Sequence, residues 1–276
     1  MNGAFFALFW FRVRFDRRKI TRRSLITGGL GAAVAAGGWL EHDSIRVERV
    51  RARPTNYAGP ELRVGFLSDL HIACEHDFQR AMRAVEMMAA LKPDVLLLGG
   101  DYVSRGGGFP EHNIHDFLAE CAKIAPAAGV LGNHDYDLTW PEKFRWHFAN
   151  AGIPLLINRE VTVGGLRVYG TDDALFGDPK SPVGEPPHVM LLHEPDFASF
   201  APAEGTLVLC GHSHGGQFCL PFGIPVILPK GGRDVPAGLS WFDRRHVYVT
   251  RGVGTTALPL RAFCPPEVTL IQLLRP

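Results

Sequence analysis

With 276 residues, 46% of them hydrophobic and 21% charged, the chain is an ordinary globular protein with a sizeable core, and its 31 glycines and 21 prolines argue against a helical bundle. The formal net charge of +1 hides an asymmetry: residues 1–36 hold seven of the 29 Lys/Arg and one of the 28 Asp/Glu, which leaves a body of net −5. A body of that sign has no general attraction for a nucleic-acid backbone, so no long nucleic acid is expected as a partner.

Residues 1–40 read as an address. A basic stretch ends in Arg22-Arg23 and leads into the Gly/Ala-rich run Gly28 to Ala36, with Ala33-Val34-Ala35 as a small-x-small cleavage site. The pattern resembles a twin-arginine signal, so the export machinery that reads it is an expected partner. From Ile26 to Leu40 the run is shorter than the ~20 apolar residues of a spanning helix. The upstream aromatic cluster Phe5 to Phe11 suits a membrane interface, and the leader is expected either to be cleaved or to stay as an anchor. Residues 41–60 are polar and Pro-containing and read as a connector. Residues 61–276 are expected to form one catalytic domain.

In the body, Leu62 to Ser68 reads as the first strand. Phe78 to Leu91 reads as a helix, with Phe78, Met82, Val85 and Met88 on one face and Pro93 barring its continuation. Asp94 to Gly99 is a short continuous apolar run, as in a strand buried on both faces. Asn113–Ile124 is expected to be helical, Gly129–Gly132 a strand and Trp140–Asn150 a third helix. The second half offers strands at 161–163, 166–169, 188–192, 206–209, 246–250 and 268–273, the first two forming a hairpin about Gly164-Gly165. Alternation in the first half and strands in the second argue for an α/β fold with two facing sheets. The five cysteines match no CxxC pattern, and an odd number cannot all pair internally.

The ends of these strands carry polar residues that a core does not require: Asp69-Leu70-His71, Gly100-Asp101, Gly132-Asn133-His134-Asp135, His193 and Gly211-His212-Ser213-His214. Carboxyl ends of strands are where α/β sites form. Asp, His and Asn without thiolate suit Mn, Fe or Zn. Asp-x-His and His-x-His place alternate side chains on one side of an extended segment, so each pair can reach a single centre. Asp101, alone on its turn, suits a bridge between two ions. The glycines ahead of Asp101, Asn133 and His212 are expected to permit sharp turns.

In this order the motifs resemble the signature of the calcineurin-like metallophosphoesterases, over about Leu62 to His214. The resemblance implies a four-layer α/β/β/α sandwich of two mixed sheets. It implies two divalent ions, Mn²⁺ foremost with Fe or Zn as alternatives, one held by Asp69, His71, Asp101 and His214 and the other by Asp101, Asn133, His193 and His212. The ions would clamp a phosphoryl group and activate water for in-line attack, with His134 as the catalytic residue that is not a ligand. Gly215-Gly216-Gln217, Arg251 to Gly254 and Pro259-Leu260-Arg261 resemble bacterial exported or membrane-attached phosphodiesterases akin to UDP-2,3-diacylglucosamine pyrophosphatases of the lipid A pathway. The substrate expected on that likeness is a small phosphodiester or a lipid-linked nucleotide sugar; a monoesterase, a nuclease or an inactive metal-binding module are the alternatives. Ser104 stands where the related protein phosphatases have Asp, and Asp135 where they have Glu, which argues against protein phosphatase activity. Arg105 and Arg261 are candidates to grip phosphate or to serve structure.

Overall fold

A computed structural model describes residues 41–104, 110–136 and 140–275. The leader reading and Arg105 fall outside the described residues. In chain order the strands are β1 (Arg46–Ala52), β2 (Leu62–Leu67), β3 (Val95–Leu98), β4 (Ala127–Gly129), β5 (Arg159–Val163), β6 (Leu166–Gly170), β7 (Val189–Leu191), β8 (Leu207–Cys210), β9 (Cys219–Leu220), β10 (Ile224–Pro225), β11 (Gly238–Phe242), β12 (Arg245–Val249) and β13 (Glu267–Leu273). The helices are α1 (Glu75–Leu91), α2 (Glu111–Ile124) and α3 (Trp140–Asn150).

Two mixed sheets face each other, in the orders β1-β13-β2-β3-β4 and β11-β12-β8-β7-β6-β5. The period of two along each strand builds the layers. In β3, Leu96 and Leu98 pack under the helices with Met88, Phe117 and Phe148, while Val95 and Leu97 point between the sheets. In β8, Leu207 and Leu209 meet them from the other side, while Val208 and Cys210 face outward. That outer face is covered by a 3₁₀ segment, Pro195–Phe200, and by Val235, so the fourth layer is thin: the described α-helices all lie on the first sheet.

Helix α1 begins one turn earlier than its apolar stripe suggests, with Glu75 and Asp77 at the positive end of its dipole. It stops where Lys92 turns left-handed ahead of Pro93. Strand β4 ends at Gly129 rather than Gly132, because the chain swings from there into the Asn133 turn. The supposed connector holds β1, an edge strand parallel to β13, and β11 is a second strand that the apolar pattern does not reveal. Both lie at sheet edges, where one side needs no apolar partner and charged residues such as Arg46, Glu48 and Arg49 are tolerated.

Strands β2, β3 and β4 run parallel, as do β7 and β8. Their carboxyl ends meet at one edge of the sandwich.

Candidate metal centre

Most of the turns at this edge depart from ordinary backbone. Asp69 (φ 56°), His71 (50°), Asp101 (53°), His212 (69°) and His214 (51°) all adopt the left-handed conformation without being glycine. Each such residue costs roughly 1 kcal/mol or more and persists only where its surroundings dictate it. Here the turns bond each other: Asp69 N–H donates to Gly100 O (2.9 Å), His71 N–H to Asp101 O (3.1 Å) and Gly254 N–H to Asp69 O (2.6 Å). Two of the three glycines expected to supply sharp turns serve a different need. A Cβ on Gly132 would strike Asp101 Oδ1, and one on Gly211 would strike Ser68 and Asp69. They make room for carboxylates.

All seven expected ligands converge. Asp69, His71 and His214 form one group and Asp101, His193 and His212 another, and His134 completes a third, overlapping one with His71 and Asp101; within each the donor atoms lie within 4.8 Å of one another. Asp101 Oδ2 lies 3.2 Å from His193 Nε2 and 3.5 Å from His71 Nε2, so this carboxylate stands between the groups. Asp69 Oδ1 is 3.5 Å from His214 Nε2, and Asn133 Oδ1 is 2.9 Å from His212 Nδ1. The His134 ring stands perpendicular to that of His71, with centroids 4.6 Å apart, and its backbone N–H donates to Asp101 Oδ1 at 2.7 Å.

The ring orientations fit a cation. His193 Nδ1 is 2.7 Å from Gly99 O, and His212 Nε2 is 2.9 Å from Lys230 O. A carbonyl only accepts, so each of these nitrogens carries the proton, and in the neutral ring the lone pair sits on the other nitrogen, facing the centre. The His212 lone pair therefore confronts the Asn133 carbonyl oxygen. Buried Asp69 Oδ2 has no hydrogen-bond partner. Converging lone pairs and an orphaned buried acceptor are relieved by a metal ion.

Electrostatics sort the histidines. Burial pushes His71 down to about 3 and His212 down to about 4, and it takes His214 well below the ordinary range with help from His71 and Arg261. These rings stay neutral near pH 7 and are ready to ligate. For His193 burial also acts downward, but the Asp101 charge and hydrogen bond, with Asp69 and Glu194, outweigh it and raise the ring well above the ordinary range. Asp69 is raised to about 6, chiefly by burial. At neutral pH the metal-free centre therefore holds a proton on His193 that a metal must displace. Mn²⁺ binding near pH 7 should release about one proton, and the affinity should rise about tenfold per pH unit until the pH passes the raised His193 value. Calorimetric titration in buffers of different ionisation heat measures this; zero release would contradict it.

Residues behind the centre hold it in shape. The Asp135 carboxylate accepts backbone N–H groups from Asp101 (2.8 Å), Tyr102 (2.9 Å) and Gly132 (2.9 Å), tying the β3 and β4 turns together. Ser104 Oγ donates to His71 O at 3.2 Å. Arg261 is not a phosphate grip. It is fully buried and donates to the carbonyls of Arg251, Gly254 and Cys264, and its Nη2 lies 3.2 Å from His214 Nδ1. The Gly-Asn-His-Asp run drew attention to Asp135 but not to its nest of amides, and no signal marked the carbonyls of Gly99 and Lys230.

A pocket of about 300 Å³ opens over the centre, with Asp101, Asn133, His134, His212 and His214 in its floor and Phe218, Ile227, Leu228, Pro229 and Ala257 in its wall. A larger cleft of about 420 Å³ beside α3 has two arginines but no acid or histidine in its lining, so it is not where this chemistry resides.

The family model for calcineurin-like phosphoesterases matches residues 62–216. Phosphodiesterase YaeI of Escherichia coli is 33% identical over 77% of this chain and 82% of its own length. An uncharacterized metallophosphoesterase of Bacillus subtilis, YkuE, is 26% identical over 93% and 98%. The UDP-2,3-diacylglucosamine pyrophosphatase LpxG of Chlamydia muridarum is 26% identical over 90% and 96%. With the site gathered at the strand ends and the model spanning more than half the chain, this protein belongs to the calcineurin-like metallophosphoesterases and is a hydrolase.

Proposed function

We propose that this chain hydrolyses a phosphodiester or pyrophosphate bond with two divalent cations, Mn²⁺ the first to try and Fe or Zn the alternatives that the O/N donor set also suits. Asp69, His71, Asp101 and His214 would hold one, and Asp101, Asn133, His193 and His212 the other. The observation that carries the reading is the convergence of these side chains from five strand-end turns, with the inner ring nitrogens of His193 and His212 aimed at the centre. Bound there, the cations would supply positive charge to the phosphoryl oxygens and lower the pKa of water. His134, which lines the pocket and is not among the seven expected ligands, would give a proton to the leaving oxygen. The apolar wall excludes water and receives the less polar part of the substrate.

The named activities of the relatives, a phosphodiesterase and a UDP-2,3-diacylglucosamine pyrophosphatase, make a lipid-linked nucleotide sugar the first substrate to try. The leader supports export through the twin-arginine machinery, with the body periplasmic or membrane-associated. A monoesterase would use the same centre; the body's net −5 disfavours a nuclease. Purified protein should hydrolyse bis-p-nitrophenyl phosphate with Mn²⁺, lose activity in chelator and regain it on adding the metal back. Full activity in chelator, or in His214→Ala, would overturn the reading. A panel of UDP-2,3-diacylglucosamine, simple diesters and monoesters then ranks the substrates.

A further inference from the structure

The exposed apolar side chains are not scattered. Seven of the thirteen large ones among the described residues lie in two short segments, 220–227 and 258–263. The first is the β9–β10 hairpin and the residues that follow it. Leu220, Ile224, Val226 and Ile227 are each more than half exposed, and Phe222, at the tip, is fully exposed with a left-handed backbone (φ 72°). No charged residue stands between Leu220 and Pro229; exposed Lys230 and Arg233 come next, followed by Asp234.

The second segment adds Leu258 and Phe263. The two segments make one surface. Cys219 N–H donates to Ala262 O at 2.8 Å, and the Gln217 amide bonds the backbone of Thr256 and Leu258. Phe218, Ile227, Leu228 and Ala257 carry the same surface inward as the pocket wall. Apolar surface thus runs from the hairpin tip to the edge of the metal centre. A patch of this kind on a soluble domain marks a partner.

The start of the described chain points to the occupant. Glu41 accepts the Cys264 N–H at 3.3 Å, one residue from exposed Phe263. Glu41 therefore lies at the border of this patch, and forty residues precede it in the sequence. They carry the apolar-aromatic cluster Phe5 to Phe11, the run Ile26 to Leu40 and seven basic residues. That composition suits a membrane interface.

We infer that the β9–β10 hairpin and the 258–263 loop dock on a lipid bilayer, so that the pocket opens onto the interface and takes a phosphodiester or pyrophosphate whose apolar tail stays in the lipid. Phe222 and its neighbours enter the acyl boundary, and Lys230 and Arg233 reach the headgroups. The substrate class rests on the phosphoesterase reading; the docking does not.

Two diesters with one leaving group test this on the full Mn²⁺-loaded chain: bis-p-nitrophenyl phosphate in solution and hexadecyl p-nitrophenyl phosphate in phosphatidylethanolamine–phosphatidylglycerol vesicles. The F222D/I224D variant should lose about tenfold on the vesicle-borne diester and stay within about twofold on the soluble one. Equal loss on both, or loss on neither, overturns the inference. A parent chain inactive on both diesters would refute the chemistry and leave docking to a second measurement. A polarity-sensitive label at F222C, in a C74S background that removes the exposed cysteine, should be quenched by spin-labelled lipid, whereas a label at V183C should not. No quenching at 222, equal quenching at both, or burial of the label by self-association without vesicles contradicts docking.

Discussion

Asp101→Asn is expected to lower kcat/KM on bis-p-nitrophenyl phosphate by at least about 10³-fold and to strip Mn²⁺ from the protein. The Asp101 side chain reaches both donor groups. Its Oδ1 accepts the His134 N–H, and its Oδ2 stands between His71 and His193. Against the opposing effect of burial, the charge and hydrogen bond of His193 foremost hold its carboxyl well below the ordinary range. Asparagine keeps an oxygen for the His134 amide, so the turn is retained while the charge is lost. Metal content by mass spectrometry, beside a circular dichroism spectrum, separates this from unfolding. A folded variant that keeps both its metal and its rate would remove Asp101 from the centre.

His134→Ala should behave differently. Its backbone N–H, the group that holds Asp101, is unchanged by the substitution, so both donor groups should survive and the metal content should match the parent. The loss should fall on kcat and depend on the leaving group. A p-nitrophenolate leaves without a proton, and its rate should drop less than about tenfold. An alkoxide needs one, and an alkyl diester should lose about 10²–10⁴-fold. Equal losses on the two would mean that His134 stabilises charge on the phosphoryl group rather than delivering a proton. Loss of metal would place it among the ligands.

Local chemistry made the candidate donor set legible. Asp69, His71, Asp101, Asn133, His193, His212 and His214 could be picked out because polar residues at the ends of apolar strands have no packing purpose, and His-x-His pairs seldom serve a core. The strands were legible wherever burial on both faces leaves a continuous apolar run, as in β3 and β8. They were illegible at two of the four sheet edges, β1 and β11. In β1, one side of the ladder is open to water and the charged residues break the pattern. The helices showed through their stripes, and the thin outer layer did not, since a 3₁₀ segment has no comparable period.

The sequence by itself therefore determined which atoms are available for chemistry and roughly where the sheets run, because those depend on residue type and on spacing along the chain. Tertiary structure decided the rest. Arg261 read equally well as a phosphate grip or a strut until its guanidinium was found among the carbonyls of Arg251, Gly254 and Cys264. The left-handed turns of Asp69, His71, Asp101, His212 and His214 are written in no local propensity, because residues other than glycine hold such backbone only when distant segments bond them there. The patch that joins the β9–β10 hairpin to the 258–263 loop likewise exists only in three dimensions, since it is assembled from segments about forty residues apart and opens beside a pocket that neither of them forms alone.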